Sequence, residues 1–98
     1  KGVTLEENGV VSFPDAPTKR GEKHLRELIR CRKQGLEAYV LFVVQMSRVR
    51  YFTPNKKNDP AFAQALREAY ESGVTVLAMD WLVEPGKVAI HRPVEIRL

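Results

Sequence analysis

The run Ala38-Tyr-Val-Leu-Phe-Val-Val44 constrains this chain more than any other stretch. It is apolar throughout and rich in Val, Tyr and Phe, with neither the 3.6-residue rhythm of an amphipathic helix nor the alternation of a half-exposed strand. A bilayer span takes about 20 such residues, so this run is a buried element and not a membrane anchor. It reads as a strand covered on both faces, the kind that parallel sheets contain. Val74 to Met79 has the same character. Parallel neighbours need a crossover, and the residues between the two runs supply one. Asp59-Pro60 is an N-cap followed by proline at the first helical position. Phe62, Ala65, Leu66, Ala69 and Tyr70 then recur along one helical face as far as Gly73.

The remaining elements follow from local signals. Residues 19 to 34 read as a helix ending at Gly35, with Leu25, Leu28 and Ile29 as its apolar stripe. Glu7-Asn8-Gly9 marks a hairpin between Val3–Leu5 and Val10–Phe13, because Asn-Gly suits the tight turn that matches strand twist. After a turn at Pro85-Gly86, Val88–Ile90 and Val94–Leu98 look like short edge or tail strands. Gln45 to Asn58 is the longest irregular stretch; it carries Arg48, Arg50, Lys56 and Lys57, either as a functional loop or as a solvated one. Strands alternating with helices imply an α/β chain with a mixed, largely parallel sheet flanked by helices. Residues 1–98 are short enough to form one domain.

Charge is distributed unevenly. The net charge is +4, yet Lys19 to Lys33 holds seven Lys/Arg against two acids, Glu22 and Glu27. The rest of the chain carries nine basic and ten acidic groups, so a polyanionic partner should meet the protein at that segment. At about 100° per residue, Lys19, Lys23, Arg26, Arg30 and Lys33 fall on one narrow face, away from the apolar stripe. Such a row suits a phosphate backbone, and it equally suits a solvated helix face. The start of this helix is an anion site in its own right, with Thr18, Arg20, Gly21, Lys23 and His24 grouped there. Gly21 would let a ligand approach the backbone. Asp15 would cap the free N–H groups, pair with Arg20 or line a site, and His24 would either pack beside the sheet or meet a phosphate.

Other chemistry is excluded or absent. Cys31 is the lone cysteine, which rules out an internal disulfide and fits a reducing cytoplasm. One Cys and two widely spaced His argue against a zinc site. Pro14-Asp15 matches half of a nuclease signature, but the Asp/Glu-x-Lys that would complete a Mg²⁺ site occurs nowhere in the chain.

Several stretches together resemble the sugar fermentation stimulation protein A family over residues 1 to about 80. They are Val3-Thr-Leu, Phe13-Pro-Asp-Ala-Pro-Thr with Arg20-Gly and Lys23-His-Leu, Leu41-Phe-Val-Val-Gln45, Pro54-Asn with Asp59-Pro, and Gly73-Val-Thr-Val-Leu-Ala78. The resemblance implies an OB-like N-terminal domain followed by a DNA-binding, PD-(D/E)XK nuclease-like domain with a restriction-endonuclease-like fold. On that reading residues 1–98 are the C-terminal part of the second domain, and the OB-like domain is an upstream partner in the same protein. Lys1 resembles the last residue of the family's Glu-x-Lys, whose glutamate and earlier aspartate would lie upstream. Gly2 and Met79-Asp80 depart from the family pattern.

The function so implied is non-specific double-stranded DNA binding, linked by the family's name to regulation of sugar fermentation genes. The expected contacts are Thr18, Lys19, Arg20, Lys23, His24, Arg26, Arg30 and Lys33, with Asp15 and Gln45 lining the site. The alternative is a Mg²⁺-dependent nuclease in the longer parent, with Lys1 as the catalytic-type residue. The 98-residue chain itself would hold no metal and be inactive, because one lysine cannot bind the ion.

Overall fold

Both apolar runs form strands, and they lie side by side in one sheet. The computed structural model describes every residue but Thr4 and Ser47, and for residues 82–84 and 87–91 the backbone alone. The elements are β1 (Gly2–Val3), β2 (Leu5–Glu7), β3 (Val10–Phe13), α1 (Lys19–Lys33), β4 (Tyr39–Val44), β5 (Tyr51–Pro54), α2 (Pro60–Glu71), β6 (Thr75–Glu84) and β7 (Lys87–Pro93). The larger sheet has the order β1-β4-β6-β7, parallel except for the β6–β7 hairpin. A smaller sheet, β2-β3-β5, pairs β2 with β3 antiparallel and β3 with β5 parallel. The architecture is therefore mixed α/β and largely parallel, with two flanking helices.

Four features differ from the sequence expectations. Val3–Leu5 is not one strand: Val3 pairs with Val44 in the larger sheet, whereas Leu5 pairs with Ser12 in the smaller one. The Asn8-Gly9 turn itself is as expected, with φ of 53° and 82°. The stretch Gln45–Asn58 is not irregular throughout, since it contains β5, which buries Phe52 in the core. At the carboxyl end β7 is longer than Val88–Ile90, while Val94–Leu98 contributes only an isolated bridge from Ile96 to Phe52. Finally, the two apolar runs are buried on one face only. In β4, Val40, Phe42 and Val44 are buried, but Tyr39 is exposed and Leu41 and Val43 are half-buried.

The core lies between that buried face and the helices. Phe42 stacks on Phe52 with centroids 4.4 Å apart, and Phe13 packs edge-on against Phe62 at 5.2 Å. α1 adds Leu25 and Ile29, and α2 adds Phe62, Ala65, Leu66 and Ala69. Transfer of a large apolar side chain from water contributes roughly 1.5–3 kcal/mol, so these few aromatics supply much of the cohesion. No helix among the described residues is long and apolar enough to cross a membrane.

Candidate anion-binding site

The start of α1 is built by a chain of hydrogen bonds that begins in another element. Thr18 is the N-cap, and its hydroxyl oxygen accepts from the Gly21 N–H at 3.0 Å. The N–H of Thr18 in turn donates to Oδ2 of Asp59 at 2.8 Å. Asp59 is buried, and its Oδ1 accepts from the Phe62 N–H at 3.0 Å, capping α2. One carboxylate thus caps one helix and orients the residue that caps the other. Two further bonds join the same loops: the Asn58 amide donates to the Asp15 carbonyl at 2.9 Å, and the Asn55 N–H to the Phe13 carbonyl at 2.9 Å. The Asp59-Pro60 signature announced the α2 cap, but nothing local announces a partner 41 positions away.

One expectation is corrected here. Asp15 neither caps α1 nor pairs with Arg20; its side chain is exposed, beside a small hollow formed with Gly2, Leu5, Ser12 and Phe13. Gly21 lines the cavity described below and also serves packing. A Cβ there would lie 2.9 Å from Thr18 Cγ2 and 3.1 Å from Phe62 Cε2.

Around this helix start lies a cavity of about 550 Å³ lined by Lys1, Thr18, Arg20, Gly21, Lys23, His24 and Glu27. Lys1 enters it from the sheet edge: its backbone nitrogen donates to the Leu41 carbonyl at 2.6 Å, and its carbonyl accepts from the Val43 N–H at 2.7 Å. Its Nζ sits 5.9 Å from the centroid of the Phe13 ring, within reach of a cation–π attraction. Burial pushes the Lys1 ammonium below its ordinary pKa, and the Arg20 guanidinium pushes it the same way. Cations therefore face one another across the cavity, with Glu27 the one acid in its lining. A bound anion would relieve that repulsion, and the N-terminal dipole of α1 adds to the attraction.

The structure divides the expected row of five cations. Lys23 turns toward this cavity, whereas Arg26, Arg30 and Lys33 border a second one of about 400 Å³, shared with Glu68, Glu71 and Ser72 at the end of α2. Arg26 is ion-paired to Glu68 and lies 4.0 Å from Glu22. Lys19 is exposed on the outer surface. Gln45 follows the end of β4, is exposed, and lies against Gly2, its Nε2 3.5 Å from where a Cβ on that glycine would stand. Among the described residues, no group of three or more His, Cys, Asp or Glu is placed to hold a metal ion.

Comparison with known proteins adds a family context to this geometry. A family model described as "Sugar fermentation stimulation protein RE domain" matches residues 1–87. The chain is 50% identical over 98 residues to the sugar fermentation stimulation protein homolog of Ruminiclostridium cellulolyticum, and 52% identical to that of Clostridium beijerinckii. Each match covers 100% of this chain and 43% of the relative, so the chain spans less than half of their length. A solved structure of Pyrococcus furiosus SfsA in complex with Ca²⁺ matches with a TM-score of 0.92 at 32% identity, again over 100% of this chain and 43% of that one. The mixed α/β fold is accordingly restriction-endonuclease-like.

Proposed function

This chain belongs to the sugar fermentation stimulation protein family, and from that premise we propose that the start of α1 binds the phosphates of double-stranded DNA without regard to base sequence. The observation that carries the reading is the cavity in which Lys1, Arg20, Lys23 and His24 converge on a helix N-terminus with a single acid, Glu27. Phosphate contacts supply the sequence-independent part of DNA affinity, and they release counterions as they form. The segment 19–33, which holds the chain's whole positive excess, extends that field outward through Lys19 and Arg30. Lys33 is exposed at the far end of the same helix, and Arg26 contributes less because Glu68 engages its guanidinium.

The test is DNA binding across a salt series. Affinity should fall steeply with salt, with a slope of about −0.9 per phosphate contact. Arg20→Gln with Lys23→Gln should flatten that slope by about 2 and weaken all sequences alike. An unchanged slope in this double variant would remove the cavity from the interface.

A second reading, a Mg²⁺-dependent nuclease in a protein of the relatives' length, draws on the Ca²⁺ complex of the Pyrococcus furiosus relative. The residues present do not fit the ion, because the cavity offers it cations and one carboxylate. Ligands would have to come from outside residues 1–98, with Lys1 beside them. Mg²⁺-dependent cleavage by such a longer protein, abolished by Lys1→Ala, would support this reading. Cleavage indifferent to that change would remove Lys1 from the catalytic site, and no Mg²⁺-dependent cleavage by the longer protein would dismiss the reading.

A further inference from the structure

Three cations of the basic stretch Gln45–Asn58 take no part in the cavity at α1, yet the fold gathers them around another. Arg50, Lys56 and Lys57 line a cavity of about 850 Å³ over the outer face of the smaller sheet. Val11 and Phe52 point from that sheet into the core, so their strand neighbours Val10, Ser12 and Thr53 face the cavity. The register sets Leu5, Ser12 and Thr53 abreast across three strands, which places two hydroxyl-bearing residues side by side on the floor. Arg50 precedes β5 and the two lysines follow it, so the cavity runs along a strand of four residues. At about 3.3 Å per residue that strand is roughly 13 Å long. Its two ends differ in charge. Glu7 pairs with Val10, and Val10 with Tyr51, so the carboxylates of Glu6 and Glu7 stand at the Arg50 end. There the Gly9 N–H donates to Oε2 of Glu6 at 3.0 Å, and the Arg50 N–H donates to the Gly9 carbonyl at 2.7 Å. The opposite end carries Lys56 and Lys57 with Asn55 and Asn58, and no carboxylate lines it. That turn is fixed on three sides. The Asn55 N–H donates to the Phe13 carbonyl at 2.9 Å, the Asn58 N–H to Oδ1 of Asn55 at 3.2 Å, and the Asn58 side-chain amide to the Asp15 carbonyl at 2.9 Å.

The chemistry of the two ends selects the occupant. Paired ammonium groups beside amide donors suit a phosphate monoester, which carries close to two negative charges at neutral pH. The hydroxyls of Ser12 and Thr53 both donate and accept, and the carboxylates of Glu6 and Glu7 accept from further O–H groups. A ligand with a phosphate at one end and hydroxyls along its length therefore matches the cavity from end to end. A nucleic-acid strand does not, because its charges would run on past Glu6 and Glu7. A nucleotide base also lacks a platform, since no aromatic side chain lines the cavity. The volume falls within the range of about 300–1,000 Å³ typical of small-molecule sites. We propose that this cavity binds a small phosphate ester of a sugar-sized polyol, with its phosphate on Lys56 and Lys57 and its hydroxyls directed at Ser12, Thr53 and the Glu6–Glu7 end. This site is separate from the cavity at α1 and does not rest on DNA binding there. Because the turn is held before anything binds, little ordering opposes the ligand.

The experiment titrates the protein with glucose 6-phosphate, reading affinity by calorimetry and location from the backbone amide signals in NMR. Inorganic phosphate, glucose and adenosine monophosphate are titrated in parallel. Glucose 6-phosphate should bind roughly ten-fold more tightly than any of the three and shift the amides of Ser12, Thr53, Asn55 and Asn58. Lys56→Gln with Lys57→Gln should weaken it roughly ten-fold; both side chains are exposed, so the fold is kept. Thr53→Val should weaken the ester while leaving inorganic phosphate unchanged. No response at millimolar ester would overturn the proposal. Equal affinity for inorganic phosphate would reduce the site to a general anion patch, and tighter binding of adenosine monophosphate would overturn the polyol in favour of a nucleotide. Shifts confined to residues 18–24 would assign the ester to the α1 cavity and overturn the second site, leaving the DNA reading to its own salt series.

Discussion

Replacing Gly21 by alanine tests how closely α1 is seated on α2. In an unobstructed helix interior the change stabilises by roughly 0.5–1 kcal/mol, because glycine loses more backbone freedom on folding. Here the new methyl would lie 2.9 Å from Thr18 Cγ2 and 3.1 Å from Phe62 Cε2. Neither neighbour is free to yield. The Thr18 side chain is held by the bond its hydroxyl accepts from Gly21 itself. The Phe62 ring is fully buried and wedged between Phe13 and Phe42, at centroid distances of 5.2 and 6.4 Å. Forcing a methyl into a packed core costs about 1–3 kcal/mol, and a displaced N-cap adds up to about 1 kcal/mol. The net expectation is a loss of about 1–2 kcal/mol, or roughly 5–15 °C in Tm for a domain of this size. Urea unfolding with calorimetry measures both. Trimming the ring with Phe62→Leu should shrink the cost of Gly21→Ala, a coupling that a double-mutant cycle isolates. A Gly21→Ala protein as stable as the parent would refute the packing explanation. If its DNA affinity also fell, close ligand approach would become the reason for the glycine.

Three further outcomes are expected. Asp59→Ala strands the Thr18 and Phe62 N–H donors, and should cost roughly 2–4 kcal/mol in urea unfolding, with faster hydrogen exchange at both amides; a loss below about 1 kcal/mol would disprove the double cap. Lys1 titrates below 10.5 in the folded chain, so the unfolded chain binds more protons between its folded pKa and 10.5, and stability rises with pH across that window. Arg20→Gln should raise the Lys1 pKa part of the way back, because burial is the larger cause, and NMR titration of the Lys1 side chain reads this directly; no movement would show that the two cations do not interact. The Arg26–Glu68 pair is 37% and 43% exposed, so its coupling in a double-mutant cycle should be only about 0.5 kcal/mol and shrink with salt. Arg26→Gln should likewise weaken DNA binding less than Arg20→Gln.

Local chemistry made much of this fold legible in advance. The ends of α1, the Asp59-Pro60 start of α2, the Asn8-Gly9 turn and the parallel class all rest on signals within a few residues of one another, or on apolar runs whose length excludes other elements. The basic character of α1 is equally a property of the sequence, since charge needs no partner to be counted. What it could not decide was pairing across distance. Whether Val3 and Leu5 share a strand depends on which of two sheets each meets. β5 hides in a basic stretch because its burial comes from Phe42 stacking on Phe52, which no local pattern announces. The row of cations on α1 is split because α2 brings Glu68 against Arg26, and Asp59 reaches Thr18 only once the two loops are packed. The apolar runs also misled in one respect: a strand of continuous apolar residues reads the same whether one of its faces is buried or both are. Propensity and periodicity act along the chain, whereas hydrogen-bond partners, ion pairs and covered faces are set by how the packed elements are aimed at one another, and that was decided only by the tertiary structure.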